Sequence, residues 1–206
     1  MFSVIDAYCT GWRYFKENAG FLVGVHFVAL FVQLAPQILL SYSPGTRGFG
    51  AIAGTLLSFV VALGLVRIGL GLIDGDLVSY SELFACVHLV FKYLIASILY
   101  SLIVLFGILL FVVPGLIWAA QFSQWPYLMV EHEMGPIEAL RESARITKGT
   151  KDRLILFLIV SVILILLGFV LLIVGAVVAY AVVTMTGAYV YRQILANQPG
   201  VDEGAV

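Results

Sequence analysis

The polar side chains that could do chemistry in this chain are few, and they lie inside long apolar runs. Two sets follow the spacing of one helix face, namely His26, Gln33 and Gln37 in one run and Gln121, Gln124 and Glu131 in another. Polar groups are costly inside a bilayer, so such residues are the first candidates for a functional site. If the two faces meet, they form a polar seam, which could be a path for a solute or an ion. The alternative is that the amides only join helices, at about 1 kcal/mol per hydrogen bond.

Arg67 also lies inside an apolar run, seven residues before Asp74. Seven helical residues correspond to about 10 Å, a depth from which an arginine side chain can still reach the headgroups. It could instead pair with Asp74 or Glu131, and we therefore add Arg67 to the possible seam. A structural or headgroup-binding role is favoured over catalysis for this residue.

The motifs of common catalytic and cofactor sites are absent from the sequence, which has no GxSxG, HExxH, P-loop or CxxC pattern. Glu131-His132-Glu133 contains metal-ligand residue types. However, adjacent residues do not share a helix face, and a metal site needs three or four converging ligands. We therefore predict no enzymatic activity, no cofactor and no metal site.

The composition is that of a protein surrounded by lipid. Of 206 residues, 62% are hydrophobic and only 11% are charged, against about 25% charged residues in soluble domains. The predicted fold class is an all-α polytopic membrane protein. The expected partners are membrane lipids and, as further candidates, a membrane protein or a second copy of the chain; the net charge of −1 gives no indication of nucleic acid binding.

Six apolar stretches are candidates to span the bilayer, which takes about 20 residues of helix. The last two come from residues 154–191, which hold no charge over 38 positions (191 − 154 + 1). One helix of that length would reach about 57 Å against a hydrocarbon core of about 30 Å, so two shorter spans with a turn somewhere between Gly168 and Gly175 fit better. The predicted spans are residues 19–42, 49–73, 91–113, 115–130, 154–172 and 174–192.

The positive charges predict the orientation of the six spans. With the N-terminus in the cytoplasm, ten of the 11 lysines and arginines lie on the cytoplasmic side, and only Arg47 lies outside. Lysine and arginine accumulate on that side of membrane proteins. We therefore predict a cell-membrane protein with both termini in the cytoplasm. It would consist of one membrane domain, residues 1–198, and a polar tail, residues 199–206.

Three cytoplasmic segments combine an apolar and a charged helix face: residues 3–17, 79–90 and 136–148. Such helices lie in the plane of the headgroups. The chain is therefore predicted to form three hairpins of two spans, each preceded by an interfacial helix. The expected lipid or partner contacts on these helices are Trp12, Phe15, Arg141, Arg145 and Lys148.

Two of the interfacial helices carry further local signals. Ser79 and Glu82 have the spacing of a capping box, which predicts the start of the second helix. Ile137, Leu140 and Ala144 lie on one side of the third helix and form its predicted apolar face. Cytoplasmic loops of membrane proteins are often amphipathic, so this pattern does not by itself require a three-unit architecture.

The region from Pro114 to Gly149 carries several short motifs. They are Pro114-Gly115-Leu116, then Gly135-Pro136-Ile137-Glu138-Ala139-Leu140, Ser143 and Thr147-Lys148-Gly149. Together with the Asp74-Gly75-Asp76 stop and the stretch Trp12 to Asn18, they resemble a bacterial family of multi-span proteins. This family includes the membrane domain of some glycerophosphoryl diester phosphodiesterases, and the resemblance covers most of the chain.

The resemblance implies a six-helix membrane module. In the phosphodiesterases the catalytic residues belong to a separate barrel domain, which these 206 residues do not contain. No active-site residue therefore carries over. What the family implies here is a supporting role, such as anchoring, lipid contact or assembly with a partner.

Two functional hypotheses follow. The first is a non-enzymatic membrane module that contacts lipids or assembles a partner through its cytoplasmic helices. The second is a small transporter or channel subunit that uses a polar seam between the first and fourth spans. We expect the first, because neither polar stripe places a carboxylate at the middle of a span. An intramembrane enzyme is the least favoured interpretation, because no nucleophile–base pair is visible.

Overall fold

The computed structural model describes residues 3–40, 45 and 47–197, and these residues are almost entirely helical, without a β-strand. The all-α fold class is thus confirmed. The predicted polar tail, residues 199–206, lies outside the described residues. The α-helices are α1 (Val4–Glu17), α2 (Ala19–Leu40), α3 (Arg47–Asp74), α4 (Val90–Leu110), α5 (Val112–Gln121), α6 (Trp125–His132), α7 (Pro136–Ile146), α8 (Lys151–Val170) and α9 (Leu172–Ala196).

Five helical stretches of the described residues are long and apolar enough to cross a membrane. They are α2, most of α3, the run of residues 80–110 that includes α4, then α8 and most of α9. Large apolar side chains such as Phe31, Leu109 and Leu166 lie on their surface and are more than half exposed. A surface of this kind fits a multi-pass membrane protein, in which lipid covers it.

The predicted fourth span, residues 115–130, is not one helix, and an arrangement of six continuous spanning helices is not confirmed. Helix α5 ends at Gln121 and α6 begins at Trp125. Pro126 lies in the first turn of α6. Proline has no N–H to donate, and inside a helix its ring would clash with the carbonyl four residues earlier, here that of Phe122. The apolar run therefore continues past a helix break.

The segment predicted as the second interfacial helix, residues 79–90, forms two short 3₁₀ helices and the start of α4 instead. The 3₁₀ helices are Tyr80–Phe84 and Val87–Leu89. Leu83 is fully buried, and a Cβ atom at Gly64 of α3 would overlap the backbone of Leu83. The segment thus packs directly on α3 and does not form the regular α-helix that was predicted.

The predicted capping box in this segment is also wrong. The Ser79 hydroxyl does not cap the helix but hydrogen-bonds to the hydroxyl of Ser81, 2.6 Å away. The Glu82 carboxylate accepts a hydrogen bond from the Arg67 Nε at 3.1 Å. The two side chains therefore bond to Ser81 and Arg67 and do not form the capping box.

Helix α1 lies against α9, where small residues allow a close approach. Its N-cap is Ser3, whose hydroxyl accepts a hydrogen bond from the Asp6 N–H at 3.5 Å. A Cβ atom at Gly11 would collide with Thr186 of α9, so the backbones of the two helices meet here. Tyr8 extends from the same helix to α8, where its hydroxyl is 2.6 Å from that of Ser161. Burial raises the pKa of the Tyr8 hydroxyl.

Helix α7 starts with a proline in its first turn and an N-terminal hydrogen bond in which the Glu138 carboxylate accepts from the Gly135 N–H at 3.3 Å. Leu140 and Ser143 are buried on the side that packs against α6. Of the predicted apolar face, Leu140 is buried in the protein, whereas Ile137 is 64% exposed. The structure contains no membrane, so whether Ile137 faces lipid stays a prediction.

The long apolar stretch of residues 154–191 turns at Leu171, inside the predicted interval. Helices α8 and α9 then pack as a hairpin in which a Cβ atom at Gly168 would lie 2.7 Å from the Gly175 carbonyl oxygen. Helices α4 and α5 meet in the same way, with a Cβ atom at Gly107 2.8 Å from the Gly115 Cα. Glycine permits these close backbone contacts, which hold helix pairs together in lipid.

Candidate functional site

Three helix ends converge on one arginine at one end of the bundle. Arg192 of α9 donates from Nη2 to the Asp74 Oδ2 at 2.5 Å and from Nε to the Asp74 Oδ1 at 2.9 Å. Its Nη1 donates to the Glu131 carboxylate of α6. A guanidinium group that binds one carboxylate with two N–H groups and a second carboxylate with a third gives strong, directional pairing. Arg192 therefore ties the C-terminal ends of α3, α6 and α9 together.

Tyr191 extends this ion cluster, which consists of Asp74, Glu131 and Arg192, into the core. Its hydroxyl donates to the Glu131 Oε2 at 2.5 Å, and the side chain is fully buried. The Tyr127 ring of α6 stacks on the Tyr191 ring with centroids 5.2 Å apart. Each polar group of the cluster thus has a partner inside the protein, which indicates a structural clamp rather than an open site.

The break between α5 and α6 is held by hydroxyl groups of α7 and of its C-cap residue, Thr147. The Gln121 backbone carbonyl accepts hydrogen bonds from the Ser143 hydroxyl at 3.1 Å and the Thr147 hydroxyl at 2.9 Å. The Gln124 N–H donates to the Ser143 hydroxyl at 3.1 Å. A helix break leaves backbone groups without intrahelical partners, and these side chains supply them. Ser143 and Thr147 are thus structural residues of the motif region.

Lys151 joins the same break from the start of α8. Its ammonium group donates to the Gln121 side-chain oxygen at 2.7 Å. The amide oxygen of Gln124, by contrast, is buried without a hydrogen-bond partner. The two glutamines of the predicted stripe therefore lie in different surroundings, one at a basic residue and one in the core.

The cations of α7 and the turn after it remain on the surface. Arg141, Arg145 and Lys148 are all exposed. Arg145 binds the Glu142 carboxylate with contacts of 2.5 and 2.8 Å, and this hydrogen bonding lowers the pKa of Glu142. Glu142 is therefore ionised at neutral pH and neutralises Arg145, which leaves Arg141 and Lys148 as the more available charges.

The two aromatic residues predicted as contacts on α1 differ in exposure. Trp12 is 45% exposed, and its ring stacks on Phe15 with centroids 5.4 Å apart. Phe15 is buried and belongs to a core cluster with residues of α2, α3 and α9, among them Leu22 and Met185. The prediction that Phe15 contacts lipid or a partner is therefore wrong, because α1 turns this side chain into the core.

The two polar stripes of the predicted seam are not brought together in the described part of the chain. Helix α2 packs mainly against α3 and α9, whereas α5 packs against α4 and α8, and α6 against α7 and α3. Gln37 lies against Gly54 of α3. Arg67 pairs with Glu82 rather than with Asp74 or Glu131. The stripes belong to separate helix pairs, so spacing along each helix did not predict their neighbours.

His26 and Gln33 line a different feature, a cavity of about 560 Å³ between α2, α8 and α9. The His26 Nδ1 lies 2.8 Å from the Leu22 carbonyl oxygen. The ring also contacts the Tyr180 ring edge to face, with centroids 5.6 Å apart. The His26 Nε2 is buried and has no hydrogen-bond partner. This cavity holds two of the seven predicted seam residues.

Sequence reasoning missed Arg192 and Tyr180 as site residues. Arg192 could have been found, because Asp74, Glu131 and Arg192 all follow apolar runs that the predicted topology ends on one side. Tyr180 had no signal, since a single tyrosine in an apolar run is common. Among the described residues, no three His, Cys, Asp or Glu side chains are placed to hold a metal ion.

No protein-family model matches the chain, and no match is found among curated proteins or solved structures. The resemblance to the phosphodiesterase membrane domain therefore stays a prediction from the motifs.

Proposed function

We propose that this chain is a non-enzymatic membrane module that binds anionic lipid headgroups at the cytoplasmic face of the cell membrane. The observation that carries the proposal is the placement of α7. One side of α7 is held on the helix break at Gln121, while Arg141 of α7 and Lys148 of the turn after it are exposed. Arg145 is exposed too, but its ion pair with Glu142 leaves Arg141 and Lys148 as the charges available to a headgroup.

An apolar groove adjoins the start of α8 and could take an acyl chain. It has a volume of about 600 Å³ and is lined by Leu102, Ile103, Phe106, Trp118, Gln121 and Phe122. Its one polar lining side chain, Gln121, binds Lys151. The headgroup of a lipid whose acyl chain lies in this groove would be near Lys151. A cation in this place attracts the negative charge of an anionic headgroup.

For α7 to lie on the cytoplasmic side, α5 and α6 together must cross the membrane. Two contacts support this crossing. Lys92, at the start of α4, donates to the Glu133 carbonyl oxygen at 3.1 Å, and His88 lies 3.2 Å from the Glu133 carboxylate. The chain has therefore returned at Glu133 to the level at which α4 began. With α5 and α6 counted as one broken span, the chain crosses six times and both termini lie in the cytoplasm.

Cysteine labelling should place Phe111 and Glu138 on opposite sides of the membrane. We would introduce single cysteines at these positions after replacing Cys9 and Cys86 with alanine, and label intact spheroplasts with an impermeant maleimide. Phe111→Cys should react from outside and Glu138→Cys only after lysis. Gly45→Cys and Leu77→Cys, both at exposed positions that precede α5 in the chain, serve as controls for the outer and inner side. Labelling of Phe111 and Glu138 from the same side would show that α5 and α6 do not cross.

Charge reversal on α7 should weaken the binding of anionic lipid. Each cation near a membrane surface contributes about 1 kcal/mol to such binding. We therefore expect the Arg141→Glu/Lys148→Glu variant to bind phosphatidylglycerol at least about tenfold more weakly, with phosphatidylcholine binding unchanged. Native mass spectrometry of the full chain in neutral detergent, titrated with each lipid, measures both affinities.

The matched control for this experiment is the Glu142→Gln/Arg145→Gln variant, which removes an ion pair of α7 without changing net charge. It should bind phosphatidylglycerol like the unmodified protein. Equal affinity of the charge-reversed variant and the control would exclude α7 as the lipid-binding surface and leave assembly with a partner protein as the alternative role. The transporter hypothesis has less support, because the two polar stripes that were to form its path belong to separate helix pairs.

A further inference from the structure

The cavity between α2, α8 and α9 contains a buried hydrogen-bond acceptor without a partner. His26 is only 5% exposed, and its Nε2 makes no hydrogen bond. Buried polar groups in folded proteins are nearly always paired, since an unpaired one loses its hydration without compensation. His26 lines the cavity, so a ligand bound there is the partner that could complete its unpaired ring nitrogen.

The hydrogen bond at the other ring nitrogen defines what the ligand must offer. A carbonyl oxygen can only accept, so the His26 Nδ1 carries the proton that it donates to the Leu22 oxygen, 2.8 Å away. In the neutral ring the second nitrogen then holds a lone pair and acts as an acceptor. The complementary group is a donor such as a hydroxyl.

The rest of the cavity wall is suited to an uncharged, largely apolar molecule. The lining residues are His26, Ala29, Leu30, Gln33, Leu34, Leu65, Ile165, Phe169, Ala176, Val177 and Tyr180. None of these side chains carries a permanent charge. A volume of about 560 Å³ lies within the usual range for small-molecule sites. Gln33 lies two helical turns from His26 on the same side of α2, and it could accept or donate a further hydrogen bond.

We propose that this cavity binds a neutral membrane lipid with a free hydroxyl group, which donates a hydrogen bond to the His26 Nε2 while its acyl part lies among the apolar lining residues. A phospholipid headgroup does not fit this site, because its charge would have no counter-charge in the lining. The site is independent of the α7 surface, since it is built from other helices and recognises a hydroxyl rather than a negative charge.

Photo-crosslinking with a diacylglycerol that carries a diazirine in one acyl chain tests the site. The full chain in phosphatidylcholine nanodiscs is titrated with this lipid and with its O-methyl ether, which lacks the hydroxyl proton. Peptide mapping locates the label. We expect saturable labelling of α2, α8 and α9 by the alcohol, and a half-saturating concentration roughly five- to tenfold higher for the ether, as the loss of one hydrogen bond predicts.

Two variants test the hydrogen bond to His26 and the cavity volume separately. His26→Leu removes the acceptor and should raise the half-saturating concentration of the alcohol to that of the ether. Leu34→Trp fills the cavity from a position that is 41% exposed and should abolish labelling by both lipids. His88→Leu, the same replacement at an exposed histidine outside the cavity, should change nothing.

The comparison of the two lipids on the unmodified protein decides the question even if His26→Leu does not fold. Equal labelling by alcohol and ether, or label spread evenly over all lipid-facing helices, would overturn the proposal. Unchanged labelling in a folded Leu34→Trp variant would do the same.

Discussion

Replacing Arg192 with leucine should lower the free energy of unfolding by about 2–3 kcal/mol. The change leaves the Asp74 and Glu131 carboxylates without their common partner in a partly buried place. Removing one member of a fully buried ion pair costs about 3–5 kcal/mol. We expect less here because 27% of the Arg192 side chain and 23% of the Glu131 side chain are exposed. Unfolding by sodium dodecyl sulfate in mixed micelles, followed by circular dichroism, measures the difference.

A second substitution identifies the unpaired carboxylate as the cause. In the Arg192→Leu background, Glu131→Gln should recover about 1 kcal/mol, because the amide is neutral and its oxygen can still accept from the Tyr191 hydroxyl. Arg13→Leu is the matched control at an exposed arginine of α1, and such surface changes stay within about 0.5 kcal/mol. If Arg192→Leu cost no more than Arg13→Leu, the ion cluster would not stabilise the bundle.

Replacing Gly64 with alanine should destabilise the protein by about 2–3 kcal/mol, at the upper end of the usual cost of overpacking. The added methyl group would overlap the Leu83 backbone. Backbone cannot move aside by a rotamer change, so the whole 3₁₀ segment must shift away from α3. The Arg67–Glu82 ion pair, 3.1 Å long, lies in the same interface and should weaken with it. The mixed-micelle unfolding assay used for Arg192 measures the loss.

Gly20→Ala provides the matched control, because a Cβ atom at Gly20 meets nothing within 4 Å. Alanine is the better helix former by up to about 1 kcal/mol, so this variant should be neutral or slightly more stable. Equal stability of the Gly64→Ala and Gly20→Ala variants would contradict the close contact between α3 and the 3₁₀ segment.

The places where sequence reasoning failed share a cause, which is contact with a distant part of the chain. The periodicity of residues 79–90 suits an α-helix, but Gly64 lets the Leu83 backbone approach α3 and the segment becomes two 3₁₀ helices. Phe15 lies on the side of α1 that was expected to face lipid, yet it is buried in a core cluster with residues of α2, α3 and α9. Pro126 is a local signal for the break before α6, but the backbone groups at the break depend on Ser143 of α7 and on Thr147 after it.

Hydropathy and the length of each apolar run were sufficient to predict an all-helical fold, long apolar helices that fit a multi-pass membrane protein, and the turn within residues 154–191. Transfer of a segment from water to lipid depends on that segment alone, so no knowledge of its neighbours is needed. Tertiary packing decided which helices touch. It brought Arg192 to Asp74 and Glu131, separated the two polar stripes, and left His26 at a cavity wall. These outcomes depend on shape complementarity between helices far apart in the chain, which residue spacing along one helix does not contain.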